Sequence, residues 1–119
     1  MTQYENYDEK MEIAKSINSC VKYFDVLGDT TRLQILVFLL QEPNREMTVD
    51  SITQSVFMSR PAVSHHLKIL KDCNILVCRS KAQYHYYSIN RKTEIWRELY
   101  ELFAKIDNLL NKFNGAENE

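Results

Sequence analysis

At 119 residues, 45% of them hydrophobic and with only two glycines and two prolines, the chain is sized for one compact, mostly helical domain without room for a second. A net charge of −1 argues against a sequence-blind polyanion binder, and three cysteines, an odd number without framework spacing, argue against a disulfide scaffold. No signal peptide is present and the longest apolar run, Leu33 to Leu40, contains Gln34 and is too short to span a bilayer, so a cytoplasmic protein with no membrane partner is expected.

Residues 1–7 and 114–119 read as disordered ends, with Gly115 stopping the last helix, and 8–113 as the single folded domain. Met11, Ile13, Ala14, Ile17, Val21, Phe24 and Leu27 recur at helical spacing and predict a first helix ending near Gly28. Asp29 then caps a second helix in which Leu33, Ile35, Leu36, Val37, Phe38, Leu39 and Leu40 are apolar nearly all round, the pattern of a central, buried element. Thr48 caps a short third helix with Val49, Ile52 and Val56 on its apolar side, and Phe57 to Ser59 has the length of a helix-turn-helix turn.

The fourth helix carries the functional signal. It starts at Ser59 or Arg60, with Ser59 as N-cap and Pro61 in the first turn, where a missing N–H removes no intrahelical bond. Val63, Leu67 and Leu70 form one stripe, widened by Ala62, His66 and Ile69, and face a core. Arg60, Ser64, Lys68 and Lys71 lie on the other side with His65 beside them. These are donors suited to phosphates and base edges, with arginine at the end where recognition helices meet bases. On this segment alone an ordinary amphipathic helix with a solvated face reads equally well.

Context separates the two. Ile75 to Arg79 and Gln83 to Ile89 are rich in β-formers and joined by the polar link Ser80 to Ala82, a hairpin. Helix, turn, helix and hairpin make a winged helix, so the fold class is mainly α with a small β-hairpin wing. From Ser59 to Lys92 seven cations face Asp72 alone, a local excess of six in a chain of net charge −1, as expected of a nucleic-acid site. The predicted double-stranded DNA contacts are Ser59, Arg60, Ser64, His65, Lys68 and Lys71 on the helix, with Arg79, Lys81 and Gln83 on the wing.

Last in the chain, Ile95, Trp96, Leu99, Leu102, Phe103, Ile106, Leu109, Leu110 and Phe113 keep an apolar stripe over about five turns, roughly 30 Å. A small winged domain does not easily cover both this face and that of the first helix. A two-fold homodimer built on Ile13, Ile17, Trp96, Leu99, Phe103, Ile106 and Leu110 is therefore expected; the alternative is that the helix folds back on its own domain. The dimer would set two recognition helices about 34 Å apart on a pseudo-palindromic operator.

Taken in series, Asp29 to Leu36 (Asp-Thr-Thr-Arg-Leu-Gln-Ile-Leu), Ser59 to Leu70, Asn74 to Val77 and Tyr86 to Ile89 resemble the ArsR/SmtB family of bacterial winged-helix repressors, over about residues 20 to 110. The resemblance implies a homodimeric transcriptional repressor that leaves its operator when an inducer, often a metal ion, binds. Registered on Ser59, Thr48 and Asp50 occupy the places of the Cys-x-Cys pair of arsenical- and cadmium-sensing relatives, and no histidine follows His85 to supply the terminal-helix ligands of zinc sensors. Glu98, Glu101 and Asp107 alone are a hard-oxygen set unsuited to zinc. No cofactor or metal is therefore expected, and the inducer is left as an unidentified small molecule or redox signal. Phe57 replaces the family's usual turn glycine, which suggests a packing role, and the wing link also lacks its usual glycine.

Among other sensors, Cys73 with Cys78, or Cys20, would make a thiol-based redox or persulfide-responsive repressor, although core packing is the commoner role of such cysteines. His65 and His66 point about 100° apart and do not chelate together; His66 reads as a packing residue under the hairpin, and His85 as a structural or solvent-facing strand residue. Ser64, His65 and His66 lack the orienting third group that nucleophilic catalysis requires, so no enzyme is expected. A winged-helix protein-interaction module is the remaining alternative.

Overall fold

The computed structural model describes residues 6–117, and side chains for 6–113. Its elements are α1 (Tyr7–Leu27), α2 (Thr30–Gln41), β1 (Glu46–Thr48), α3 (Val49–Val56), α4 (Arg60–Asp72), β2 (Leu76–Lys81), β3 (Tyr84–Ile89) and α5 (Ile95–Glu117). They form two compact units: Lys22–Thr93, which holds α2 through β3, and the described residues up to Val21 together with those from Glu94 onward.

Local chemistry sets the helix starts in the first unit. Asp29 accepts from the Arg32 N–H at 3.1 Å, Thr48 from Ser51 at 3.2 Å and Ser59 from Ala62 at 3.3 Å. Each satisfies one of the amide donors that a helix leaves without a partner at its N-terminus. The Arg32 N–H is also the main reason that the Asp29 carboxyl lies below the usual carboxylate range. Gly28 follows α1 where an added Cβ would stand 2.9 Å from the Phe24 carbonyl oxygen, so the sequence stops that helix with the one residue that fits.

Ile35 and Leu39 of α2, Ile52 of α3, Val63, Leu67 and Leu70 of α4 and Ile75 are all fully buried and make the core of this unit. At about 1.5–3 kcal/mol for each fully buried aliphatic side chain, the α4 stripe alone fixes which face of that helix turns outward. The core does not enclose α2: Leu33, Val37 and Leu40 are exposed, because only the side bearing Ile35, Leu36 and Leu39 is covered.

The wing is larger than expected. Glu46–Thr48 adds a third strand, giving an antiparallel sheet of order β1-β3-β2 in which Met47 pairs with Tyr87 and Cys78 with the same tyrosine from the other side. β2 starts one residue later than expected, at Leu76, and runs on to Lys81. The turn is the pair Ala82 and Gln83, closed by Lys81 opposite Tyr84. Ala82 takes φ 55°, the left-handed conformation that a two-residue hairpin requires and that glycine would adopt without strain.

Phe57 likewise takes φ 55° and ψ 45° at the end of α3, and its side chain is 93% exposed. The packing role is thus overturned: the left-handed turn turns the ring away from the core.

In the other unit α1 and α5 run antiparallel. Lys112 pairs with Glu9 at 3.0 Å, Lys105 Nζ donates to Ser16 Oγ at 3.4 Å, and the Lys10 ammonium lies 5.3 Å from the Phe113 ring centre. Ile13, Cys20, Ile95, Leu99 and Leu102 are buried. α5 continues through Gly115 to Glu117, so that glycine does not stop the helix. Of the ends expected to be disordered, residues 1–5 and 118–119 lie outside the described residues, whereas α1 already begins at Tyr7.

Candidate nucleic-acid interface

All six helix residues predicted to meet DNA, Ser59, Arg60, Ser64, His65, Lys68 and Lys71, are exposed, as are Arg79, Lys81 and Gln83 on the wing. The helix set follows from its spacing: with Val63, Leu67 and Leu70 fixed inward, residues 60, 64, 68 and 71 fall on the opposite side. Placement on one unit brings the wing and the helix start together. Asp50 and Arg60 share with Gln83, Tyr84 and His85 a groove of about 230 Å³.

Acids temper the positive charge of this face in a way that a window of sequence conceals. The Arg60 Nη1 donates to Asp50 Oδ1 on α3. Lys68 pairs with Asp72 one turn along the same helix at 2.7 Å. Arg79 of β2 lies 4.6 Å from the Tyr86 ring centre on β3 and reaches Glu46 on β1 at 2.8 Å, strapping the three strands together. Three of the seven cations in the Ser59–Lys92 window, Arg60, Lys68 and Arg79, are thus paired with acids, two of which, Asp50 and Glu46, lie outside that window. Of the cations predicted to meet DNA, Lys71 and Lys81 have no carboxylate partner among the described residues and are free to meet phosphates.

Sequence reasoning missed Asp50 and Glu46 because both precede the basic window. Their only local signal is Asp50 in the first turn of a capped helix, where an acid is ordinarily explained by the helix dipole.

His66 is placed differently from expectation. Its Nδ1 stands 3.3 Å from Arg32 Nη1 and 4.0 Å from Asp29 Oδ1, so it packs against the start of α2 and not under the hairpin. Arg32 also donates to the Val26 carbonyl at 2.6 Å, tying the end of α1 to α2 and, through His66, to α4. His85 is exposed and hydrogen-bonded to Ser80 across the hairpin at 2.9 Å.

Of the residues predicted for a dimer interface, Ile17, Trp96, Phe103 and Leu110 are exposed, Ile106 is half-buried, and Ile13 and Leu99 are already buried by the chain itself. Tyr7, Met11, Val21 and Tyr100 join the exposed set.

The positions matching the metal sites of the resembled family do not suit a thiophilic ion. The Thr48 hydroxyl caps α3 and donates to Ser51 Oγ, and Asp50 holds Arg60. Among the described residues no three His, Cys, Asp or Glu side chains converge as metal ligands. Burial pushes the Cys20 thiol up, aided by Glu98, and burial does the same to Cys73 against the pull of Lys22. Both are therefore poor in thiolate, the reactive form. Among the described residues no helix is long and apolar enough to cross a membrane.

Comparison with known proteins agrees with this geometry. Residues 29–76, from the α2 cap to the first wing strand, match the family model described as bacterial regulatory protein, arsR family. The transcriptional repressor SdpR of Bacillus subtilis is 32% identical over 96 residues, spanning 81% of this chain and 94% of the relative. Reduced HlyU from Vibrio cholerae superposes with a TM-score of 0.62 at 25% identity, covering 75% of this chain and 90% of that one. The homodimeric winged helix-turn-helix DNA-binding domain Mb0332 from Mycobacterium bovis shares the fold, with a TM-score of 0.56 at 24% identity over 83% of this chain and 84% of its own. With a relative of this identity matched over nearly its whole length, the chain belongs to the arsR family of bacterial regulatory proteins, the winged-helix transcriptional regulators.

Proposed function

We propose that this chain is a cytoplasmic, homodimeric repressor that binds a pseudo-palindromic DNA operator through α4 and the wing and carries out no catalysis. The observation that carries the reading is the division of α4: Val63, Leu67 and Leu70 are fully buried, while every polar residue predicted to meet DNA is exposed. Unpaired Lys71 and Lys81 supply phosphate attraction, and Arg60, Ser64 and His65 supply base contacts. Exposed apolar side chains on α1 and α5 supply the dimer surface. The inducer acts without the two familiar metal sites of the family, since neither ligand set is present in suitable form.

Titrating the full chain with its own promoter DNA over a range of salt concentrations tests the reading. Tight, sequence-dependent binding with a steep salt slope is expected. Arg60→Ala lowers sequence preference by about 1–3 kcal/mol at the base it reads, whereas Lys81→Ala weakens all duplexes alike and lowers the salt slope by about one. Weak binding that is blind to sequence would overturn the proposal, and release of the operator by stoichiometric zinc, cadmium or arsenite would overturn its metal-independent part.

A further inference from the structure

We infer that Asp50 is a positioning residue for base recognition: its carboxylate holds one edge of the Arg60 guanidinium so that the remaining edge reads a guanine in the major groove. The inference rests on the DNA-binding reading above and names how one base of the operator is chosen.

Arg60 is the first residue of α4 and Asp50 lies in the first turn of α3, so their contact bridges the helix-turn-helix. A guanidinium is a rigid plane with five N–H donors. With Nη1 donating to Asp50 Oδ1, Nε and Nη2 are left, a parallel pair that matches the O6 and N7 acceptors of guanine. Both side chains are more than 60% exposed, at 63% and 62%. An exposed pair of this kind adds little to stability, so its consequence lies in where it points the arginine. An arginine already restrained loses less rotamer freedom on reaching a base.

The setting makes a bystander carboxylate costly. Asp50 lines the groove where the helix start meets the wing residues Gln83 and Tyr84. An unpaired acid there would repel every phosphate that approaches, whatever the sequence. Paired, it offsets the general attraction of Arg60 for phosphate and orients one donor set, a trade of affinity for discrimination.

The other two ion pairs of this face do different work. Lys68 is a point charge without a plane to orient, and its partner Asp72 is on the same helix. Arg79 is stacked on Tyr86 and tied to Glu46 within the sheet. Of these three pairs among the described residues, Asp50–Arg60 is the one that holds a planar fork at the base-reading end of α4.

The test is selection from a randomised duplex library by the full chain, comparing wild type with Asp50→Ala, Asp50→Asn, Arg60→Ala and Asp50→Ala/Arg60→Ala. Melting curves check that each variant is folded. Wild type should select a guanine in each half-site whose preference is lost in Arg60→Ala. Asp50→Ala should lower preference for that same guanine about tenfold while overall duplex affinity is unchanged or higher. Asp50→Asn, which keeps an acceptor, should retain most of the preference, and the double variant should lose no more than Arg60→Ala. The inference is overturned if Asp50→Ala and Asp50→Asn both raise affinity for every duplex with the guanine preference intact, which makes Asp50 a bystander charge. It is also overturned if Asp50→Ala changes a position that Arg60→Ala leaves alone, which makes Asp50 a direct contact. A wild-type motif with no guanine dependent on Arg60 removes this inference alone; enrichment of no sequence by wild type removes the DNA-binding reading as well.

Discussion

The unit spanning Lys22–Thr93 encloses a fully buried aliphatic core and arms its surface with cations, although Leu33, Val37 and Leu40 of α2 stay exposed, whereas the α1–α5 unit keeps many of its largest side chains outside. Ile35, Leu39, Ile52, Val63, Leu67, Leu70 and Ile75 are fully buried in the first. In the second, Ile13, Leu99 and Leu102 are buried while Tyr7, Met11, Trp96, Tyr100 and Leu110 face outward. One unit fully buries a set of large aliphatic side chains from its own chain; the other leaves a larger share of its big apolar side chains exposed. The difference teaches that reading DNA needs a rigid, finished support, and that an exposed apolar face on long helices has the character of an interface.

The contrast can be broken most forcefully at Leu67. Leu67→Ala should cost about 2–5 kcal/mol of stability, read from denaturant unfolding, because a fully buried side chain leaves a cavity. Phe103→Glu should leave helix content intact and weaken dimer association by about 2 kcal/mol or more, read by sedimentation. An unchanged dimer would remove α5 from the interface. Phe103 is the sharper probe than Leu99, whose burial within the chain makes any polar change a folding defect too.

Smaller changes sharpen the comparison within the DNA-reading unit. Phe57→Gly relieves a left-handed backbone that costs an ordinary residue about 1–2 kcal/mol, offset by about 0.5–1 kcal/mol of unfolded-chain entropy. A modest rise in melting temperature is expected, and a fall would show that the exposed ring contributes to stability. Smallest is the acid response of the α2 cap. Because the folded Asp29 carboxyl lies below its usual range, its contribution is complete above the unfolded value of about 3.9 and is lost as pH falls through the lower folded one. Asp29→Asn, which still caps, should therefore flatten the fall of stability below about pH 4. An unchanged acid slope would mean that other carboxylates govern it.

What could be read from sequence was what depends on neighbours three or four residues away. Asp29, Thr48 and Ser59 are caps because the amide each accepts from lies three residues on. The outward face of α4 follows from helical period alone. What could not be read depends on distant partners. β1 is three residues long, too short for alternation to register, and exists because β3 offers it an edge. Glu46 lies 33 positions from Arg79 and Asp50 ten from Arg60, so a charge count within one window misses both. Phe57 and Ala82 bend where their own preferences oppose it, because closure of the turn and hairpin outweighs a local cost of that size.

Thr48 ends β1 and caps α3, with no linker between. The strand and the helix therefore share one residue: Thr48 pairs with Tyr86 in the sheet while its hydroxyl holds the first turn of α3, so losing that hydroxyl loosens the helix start where the sheet hands over to it.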